Sequence, residues 1–525
     1  MIRDGKIWIA NTEAEEPVYL LPKMANRHGL IAGATGTGKT ITLKVLAEAF
    51  SDMGVPVFLA DVKGDIAGLL EAGIDSEDMR SRIKRFGLEE AGFDFRKYPV
   101  TLWDVFGKNG IQVRTSISDM GSILLGRILG LTDTQKDILT IIFKIADENG
   151  WFIYDTKDLK AMLNEVFENN KEYSAEYGNI TKQSIGAIQR AVVTLEMEGG
   201  DQFFGQPSLE VRDWFTTDSS GRGMIHILDS QSLINNGTLY STFLLWMLSE
   251  LFETMPEVGD LDKPKMVFFF DEAHLLFKDT PKALLDKIEQ VVKLIRSKGI
   301  GVYFVTQNPR DIPDGVLAQL GNKVQHALHA YTPSDQKAVK AAADSFRENP
   351  AFKTSDVIEA LGTGEAVVSF LQEDGTPAIV EKVFVLPPQS KMGGIDASVR
   401  DNAIKSSNFY SKYATSVDPD SAYEMLSRER DRKEQEAATA KDEADRAKAE
   451  AKEQAAAQKA AEREKEKEAN RKKRAAKSVG TTVAGTVGRE VGKKVGKQLG
   501  GKFGQTLGGN TGAQLFRGIL NTLIK

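Results

Sequence analysis

The sequence predicts an α/β fold in which helices cover both faces of a mostly parallel β-sheet. Short apolar segments rich in β-branched and aromatic residues alternate with longer helical segments along the chain, and this alternation is typical of parallel strands joined by helical crossovers. The predicted strands lie at residues 55–61, 224–229, 266–274, 301–307 and 323–331, and one further apolar strand, LIAG, precedes a glycine-rich turn.

Seven regions are expected along the chain. Amphipathic runs such as SILLGRILGL indicate a helical insertion. A segment rich in Ala, Glu, Lys and Arg with almost no large apolar residues indicates a long solvated helix. The regions are a β-hairpin at 1–22, the first part of the core at 23–73, a mainly helical insertion at 74–220, the remainder of the core at 221–390, a linker at 391–420, a charged alanine-rich helix at 421–478 and a basic glycine-rich tail at 479–525.

Composition excludes several classes of protein. Of the 525 residues, 41% are hydrophobic and 27% are charged, which is ordinary for a globular chain. Cysteine is absent, so disulfide scaffolds and cysteine-ligated zinc or iron–sulfur sites are excluded. No signal peptide and no run of about 18 apolar residues is found. We therefore expect a cytoplasmic protein, with peripheral association with a membrane or nucleic acid as a further expectation.

Charge is distributed unevenly along the chain. The formal net charge is −6, but the segment from Arg471 onward has 12 Lys or Arg residues and one acid, Glu490, whereas residues 1–470 carry −17. Attraction to nucleic acid or to an anionic membrane is therefore expected from the tail or from local basic patches. The alternative is that the basic tail serves only solubility.

The tail has a regular glycine spacing, with a glycine at every fourth position from Gly488 to Gly512. Seven glycines oppose an isolated helix by roughly 7 kcal/mol. A helical tail would therefore need close packing in a membrane or in a self-associated form, and a flexible tail is the alternative. In the charged segment before it, alanine mainly occupies the positions where a coiled coil needs Leu or Ile, so no strong zipper is expected.

One segment matches a phosphate-binding pattern. Between the LIAG strand and a helix that runs to about Phe50, the sequence GATGTGKT fits G-x-x-x-x-G-K-[ST]. Glycines let consecutive backbone N–H groups surround phosphate oxygens at a helix N-terminus. The lysine supplies charge to the β- and γ-phosphates, and the last residue supplies a hydroxyl for Mg²⁺. The predicted nucleotide-binding residues are Gly33, Ala34, Thr35, Gly36, Thr37, Gly38, Lys39 and Thr40.

Acidic and amide side chains follow two of the predicted strands. Asp271 and Glu272 come after the apolar run VFFF; we expect Asp271 to hold Mg²⁺, directly or through water, and Glu272 to accept a proton from the attacking water. An acidic N-cap for the next helix is the alternative. Gln307 ends the strand GVYFVTQ, where it either positions water or is an ordinary strand-ending residue. Asp61, in DVKGD, either faces the same crevice or simply ends its strand.

These motifs in combination resemble the HerA–FtsK class of P-loop ATPases, and more closely the bacterial HerA-like ATPases typified by YjgR. HGLIAGATGTGKT is similar to the phosphate loop of that class, including His28 before the strand and Thr35 inside the loop. FFFDEAH and VTQNP are similar to its acidic strand and its Thr-Gln-x-Pro sensor. The resemblance extends from about residue 20 to about residue 390.

The resemblance implies a RecA-like core, assembly into a hexameric ring, and ATP hydrolysis coupled to the movement of DNA through the pore. It also implies that an arginine from a neighbouring subunit completes each site, and Arg296 in LIRSKGIG best matches that position. A helix-surface arginine that pairs locally is the alternative. The implied catalytic set is Lys39, Glu272, Gln307 and Arg296, with ATP and Mg²⁺ as cofactors and with Thr40 and Asp271 as metal ligands.

Three functions are compatible with the sequence. The first is a ring-forming motor that translocates duplex DNA, although the acidic body lacks the overall positive charge that offsets phosphate charge in a DNA channel. The second is an ATPase that acts on a protein or membrane assembly, with the tail as an anchor. The third is a nucleotide-dependent switch or scaffold. Glu272 argues against the third, because a pure binding module does not need a general base.

Overall fold

The computed structural model describes residues 1–278 and 282–475. The chain divides into two units, Met1–Tyr423 and a second unit that begins at Glu424. The predicted glycine-rich tail at 479–525 lies outside the described residues, and so do its predicted membrane contact and self-association. Among the described helices, none combines the length and the apolarity needed to cross a bilayer.

Thirteen strands form one sheet within the described residues. The strands are β1 (Ile2–Arg3), β2 (Lys6–Thr12), β3 (Pro17–Leu20), β4 (Gly29–Ala32), β5 (Val57–Asp61), β6 (Val100–Asp104), β7 (Ile111–Gln112), β8 (Ile225–Asp229), β9 (Met266–Phe270), β10 (Ile300–Thr306), β11 (Asn322–Gln325), β12 (Glu365–Ser369) and β13 (Glu381–Val385).

Helices flank the sheet and build the insertion. The α-helices are α1 (Lys39–Asp52), α2 (Glu77–Arg85), α3 (Ile117–Ile128), α4 (Asp133–Asn149), α5 (Thr156–Glu168), α6 (Asn170–Tyr177), α7 (Lys182–Met197), α8 (Gly200–Phe203), α9 (Gly237–Thr254), α10 (His274–Phe277), α11 (Lys282–Ile295), α12 (Asp314–Leu317), α13 (Pro333–Asp344), α14 (Thr354–Ala360), α15 (Ala397–Ser406), α16 (Tyr410–Tyr413) and α17 (Ala422–Ala475).

The order of the central strands is that of a RecA-like core. Strands β11, β4, β10, β9 and β5 lie side by side and are all parallel. Strand β10 therefore separates β4, which precedes the glycine-rich turn, from β9, which precedes the acidic pair. Strands β8, β6 and β7 extend the sheet in parallel on one side, and β12, β13 and β2 extend it antiparallel on the other. The predicted α/β fold class is confirmed.

Burial explains why these segments form the centre of the sheet. All residues of β4, β5, β9 and β10 are buried, as expected for parallel strands covered on both faces. Gly29 in β4 has a packing role, because a Cβ there would lie 2.4 Å from the Tyr303 ring on the neighbouring strand β10. The tight approach of Tyr303 therefore requires glycine at this position.

Two features of the sheet differ from the sequence-based expectation. Strand β6 lies inside the predicted helical insertion and pairs with β8; because all five of its residues are buried, it shows no alternation that would predict it. The strand predicted at 323–331 ends at Gln325, since the chain then leaves the sheet to contact the glycine-rich turn. The Ala34 N–H donates to the Ala327 carbonyl at 2.8 Å.

The predicted linker at 391–420 is placed in the first unit by the structure. It contains helices α15 and α16, and the Tyr413 side chain is fully buried. Its ring packs edge-on against Trp103 of strand β6, with ring centroids 5.6 Å apart. Arg400 on α15 lies 3.2 Å from the Asp229 carboxylate at the end of β8. These contacts hold the segment against the side of the sheet that carries β6 and β8.

Candidate functional site

Four parallel strands bring the predicted site residues to one edge of the sheet. Strands β4, β5, β9 and β10 end at Ala32, Asp61, Phe270 and Thr306, so the residues that follow each strand meet at the shared carboxyl edge. A cavity there is lined by residues of the glycine-rich turn, by Lys39 and Thr40 at the start of α1, and by Asp271. The cavity lies where parallel α/β sheets bind ligands.

The glycine-rich turn, residues 33–38, joins β4 to α1 in a conformation that depends on glycine. Gly36 and Gly38 have φ values of 80° and 119°, in the region that residues with a Cβ rarely adopt. Gly33 also allows a close approach, because a Cβ there would lie 2.5 Å from the His326 Cβ. The Thr37 hydroxyl donates to the Ala34 carbonyl at 2.7 Å, whereas Thr35 is exposed at the tip of the turn.

Lys39 folds back onto this turn. Its ammonium group donates to the Gly33 carbonyl at 2.6 Å and to the Ala34 carbonyl at 2.9 Å, and only 6% of the residue is exposed. Burial, followed by the nearby Lys63 charge, lowers the pKa of Lys39 below its usual value. The Lys39 ammonium is thus held inside the turn by two neutral carbonyl oxygens. An anion bound there would be a stronger hydrogen-bond acceptor for this ammonium than the carbonyls are.

His326 supports the turn from the end of β11. Its Nδ1 lies 2.8 Å from the Glu365 carbonyl, which can only accept, so Nδ1 carries the proton and donates. Its Nε2 then accepts from the Thr42 hydroxyl of α1 at 2.8 Å. Burial lowers the pKa of His326 to about 4, so the ring stays neutral at physiological pH. No sequence pattern predicts a role for His326, which connects β11 and α1 to the turn.

The acidic pair follows β9 in a restrained conformation. Glu272 is buried and has a φ of 48°, a left-handed value that costs a residue with a side chain roughly 1–2 kcal/mol. The Glu272 N–H donates to the Asp271 carboxylate at 2.9 Å, and the Tyr240 hydroxyl of helix α9 donates to the Asp271 carbonyl at 2.9 Å. Burial and the Glu272 carboxylate raise the pKa of Asp271 to about 7.

Gln307 lies beside Glu272, as its place after the neighbouring strand predicts. The Gln307 amide donates to both carboxylate oxygens of Glu272, at 3.2 and 3.3 Å. Two further groups face this carboxylate: the His274 imidazole at 3.4 Å and the Lys63 ammonium at 3.8 Å. The structure therefore brings Lys39, Thr40, Asp271, Glu272 and Gln307 to the same edge of the sheet.

Asp61 does not line the cavity, whereas its neighbours Lys63 and Asp65 do. Its carboxylate accepts from the backbone N–H groups of Lys63, Gly64 and Ile66 at 3.2, 2.7 and 3.0 Å. Asp61 thus fixes the turn that presents Lys63 to the site. The DVKGD sequence predicted a possible role for Asp61 but none for the lysine in the same turn. Tyr240 lies in the middle of an apolar helix, and no sequence pattern predicted its contact with the site.

Arg296 lies at the opposite edge of the sheet. It begins a short 3₁₀ turn, Arg296–Lys298, just before β10. The seven residues of β10, at about 3.3 Å per residue, separate it from Gln307 by roughly 23 Å. Burial and the nearby Arg27 charge lower the pKa of Arg296. The structure therefore does not bring Arg296 together with the other predicted site residues of its own chain.

Comparison with known proteins now identifies the family. The model of the family described as Helicase HerA-like C-terminal matches residues 6–511. The chain belongs to this family. The predicted HerA-like membership is confirmed at this level, whereas the narrower assignment to the bacterial YjgR-type group stays a prediction.

Curated relatives of this HerA-like chain are distant in sequence. It is 24% identical over 382 residues to a protein of Sulfurisphaera tokodaii named DNA double-strand break repair helicase HerA, and the match covers 70% of this chain and 66% of the relative. The protein of the same name from Sulfolobus acidocaldarius is 20% identical over 372 residues, with the same coverage of 70% and 66%. The chain thus spans 66% of the length of these two curated relatives.

Among solved structures, VirB4 of Thermoanaerobacter pseudethanolicus is 16% identical with a TM-score of 0.48, over 73% of this chain and 97% of that chain.

Proposed function

We propose that this HerA-like protein is a magnesium-dependent ATPase that assembles into a hexameric ring and that moves or processes DNA. In this ring an arginine from each neighbouring subunit completes the site. The observation that carries the ATPase assignment is the buried Glu272 carboxylate, which Gln307 holds beside the cavity that Lys39 lines. A site that only bound nucleotide would not need this buried carboxylate. The placement in the bacterial YjgR-type group is part of the same proposal and rests on the sequence motifs.

Each site residue has a role that follows from its chemistry. The backbone N–H groups of the turn and the Lys39 ammonium bind the phosphates. Thr40 and Asp271 line the same cavity, and their hydroxyl and carboxylate oxygens are the donors that Mg²⁺ prefers, with the remaining positions left to phosphate and water. Bound Mg²⁺ would offset phosphate charge. Gln307 orients the attacking water, and a Glu272 carboxylate oxygen accepts its proton.

Arg296 is proposed to act on the site of the neighbouring subunit. Its position at the amino end of β10 keeps it away from the nucleotide of its own chain, so a catalytic role requires a second copy. A closed ring supplies such a copy at every site, because a heterologous interface places one edge of each subunit against a different edge of the next. Sedimentation of the protein with a non-hydrolysable ATP analogue tests the hexamer, and a monomer under these conditions would contradict it.

Two substitutions test the ATPase assignment. Lys39→Ala should abolish tight binding of nucleotide, because it removes the charge held at the turn. Glu272→Gln should bind ATP but lose turnover by at least about 100-fold, the usual contribution of a general base. Binding is measured by calorimetry and turnover by phosphate release, with Glu359→Gln on the exposed surface of α14 as the control. Turnover of Glu272→Gln at the parent rate would refute the assignment of the base.

The substrate is tested by the effect of duplex DNA on ATP hydrolysis. Two curated relatives are named DNA double-strand break repair helicase HerA, which favours DNA as the substrate, whereas the charge of −17 on residues 1–470 favours a protein or membrane assembly. Hydrolysis is compared with and without duplex DNA at about 100 mM salt, for the full chain and for a chain that ends at Tyr423. Stimulation that survives the truncation supports the DNA motor, and stimulation that is lost assigns DNA binding to the removed segment. Absence of stimulation in both chains would favour an ATPase that acts on a protein or membrane assembly.

A further inference from the structure

The turn after strand β5 presents a second lysine to the candidate nucleotide site. Lys63 lines the same cavity as Lys39, Thr40 and Asp271, and its charge is close enough to lower the pKa of Lys39. Its ammonium lies 3.8 Å from the Glu272 carboxylate, and 39% of its side chain is exposed. We propose that Lys63 is a second phosphate-binding cation, which leaves Glu272 and binds the terminal phosphate when a nucleoside triphosphate occupies the site. This inference rests on the proposed function.

The backbone of Lys63 is held by hydrogen bonds, whereas its side chain is partly exposed. Asp61 accepts three backbone N–H groups of the turn, including that of Lys63 at 3.2 Å. Gly64, with a φ of 77°, packs so closely on Gln231 that a Cβ would lie 2.4 Å from its amide nitrogen. The turn therefore holds the lysine backbone at the rim of the cavity. The ammonium group can change its partner by rotations within the long side chain, and the backbone does not need to move.

The contact with Glu272 is weak enough to be exchanged. At 3.8 Å the pair is an ion pair without a hydrogen bond, whereas the Gln307 amide makes two shorter contacts to the same carboxylate. Glu272 thus keeps its position when Lys63 leaves. A terminal phosphate offers three oxygens with more than one negative charge, and charge-assisted hydrogen bonds to such a group are stronger than an ion pair that makes no hydrogen bond.

The location of Lys63 distinguishes its role from that of Lys39. Lys39 is held against the Gly33 and Ala34 carbonyls inside the turn, where the phosphates of both ATP and ADP would lie. Lys63 approaches from the side of Glu272 and Asp271, where of the three phosphates only the terminal one would lie. Loss of Lys63 should therefore weaken binding of the triphosphate selectively, whereas loss of Lys39 should weaken binding of both nucleotides.

The test compares the affinities of the full-length protein for ADP and for a non-hydrolysable ATP analogue, each with Mg²⁺, by calorimetry. For Lys63→Gln, the affinity for the analogue should fall about tenfold while the affinity for ADP stays within twofold of the parent value, as expected for one lost charge-assisted contact at a partly exposed site. Lys63→Arg should restore most of the affinity for the analogue, because it retains the charge. Lys340→Gln, an exposed lysine on α13, is the matched control and should change neither affinity.

Three results would overturn the proposal. An unchanged affinity of Lys63→Gln for the analogue would show that Lys63 does not bind the terminal phosphate. An equal fall for ADP and the analogue would assign Lys63 to the phosphates that both share, or to the shape of the turn. Failure of Lys63→Arg to recover would show that charge is not the property that matters. By contrast, absence of nucleotide binding by the parent protein would refute the proposed function itself, so the two failures are distinguishable.

Discussion

The hydroxyl of Tyr240 should be required for efficient turnover, although it touches no nucleotide. It donates to the Asp271 carbonyl at 2.9 Å from a side chain that is fully buried. Burial raises the pKa of Tyr240 well above its usual value, so the hydroxyl keeps its proton and always donates. The peptide it holds leads directly to Glu272, whose φ of 48° is strained. Tyr240→Phe removes this restraint and keeps the aromatic ring.

The expected size of the effect follows from two comparable free energies. A neutral hydrogen bond contributes about 1 kcal/mol, and the left-handed conformation of Glu272 costs roughly 1–2 kcal/mol, so the bond from Tyr240 offsets much of the strain. Loss of about 1 kcal/mol of positioning energy corresponds to roughly a fivefold lower kcat. The affinity for ATP should stay unchanged, because Tyr240 does not line the cavity.

Tyr303→Phe is the matched control for this experiment. The Tyr303 hydroxyl also donates to a backbone carbonyl, that of Ala25 at 3.1 Å, from a buried ring in the core, but it does not contact the acidic pair. Both variants should lose about 1 kcal/mol of stability, whereas only Tyr240→Phe should lower kcat in a phosphate-release assay. Equal kcat values for the two variants would refute the positioning role of Tyr240.

Three further perturbations have expected outcomes. Arg296→Ala should lower hydrolysis but not ATP binding, and mixing it with Glu272→Gln subunits should restore some activity; an inert mixture would count against action between subunits. Glu48→Ala should cost about 3 kcal/mol in denaturant unfolding, because the buried Glu48 carboxylate accepts two backbone N–H groups and the Ser390 hydroxyl. Burial lowers the pKa of His226 to about 3, so the stability contributed by its neutral ring is lost as pH falls below about 6.5. The destabilisation caused by His226→Gln should therefore shrink by about 2 kcal/mol between pH 7 and pH 5, and equal values at the two pH values would contradict this.

The sequence was sufficient to predict that the glycine-rich turn, the acidic pair and Gln307 lie at one edge of the sheet. Parallel strands end at one edge, so three motifs that each follow an apolar strand had to lie close together once the sheet was recognised. The contact between Gln307 and Glu272, 35 positions apart, is the clearest case. This contact can be predicted without knowledge of loop structure, because Gln307 directly follows β10 and Glu272 is the second residue after the neighbouring strand β9.

Contacts that depend on packing between distant segments could not be predicted. Trp103 and Tyr413 pack together, but the sequence around each residue gives no sign of the other. For this reason residues 391–420 were predicted to be a linker. Tyr240 lies in an almost uniformly apolar helix, where a hydroxyl has no distinguishing spacing. Lys63 was overlooked because an exposed lysine in a polar turn is ordinary, and only its position relative to Glu272 gives it significance.

The two halves of the site differ in how firmly they are held, and this difference suits the proposed reaction. The acidic half is fixed by hydrogen bonds to Asp271 and Glu272 from a helix and from the residue that follows a neighbouring strand, which pre-organises the groups that act on water and metal before substrate arrives. The basic half is held by contacts that a phosphate can replace: Lys39 donates to neutral carbonyls, and Lys63 lies 3.8 Å from a carboxylate without a hydrogen bond. Because the acidic side chains are held in place, the geometry of proton transfer stays constant during turnover. The lysines exchange their partners as the phosphate charge changes.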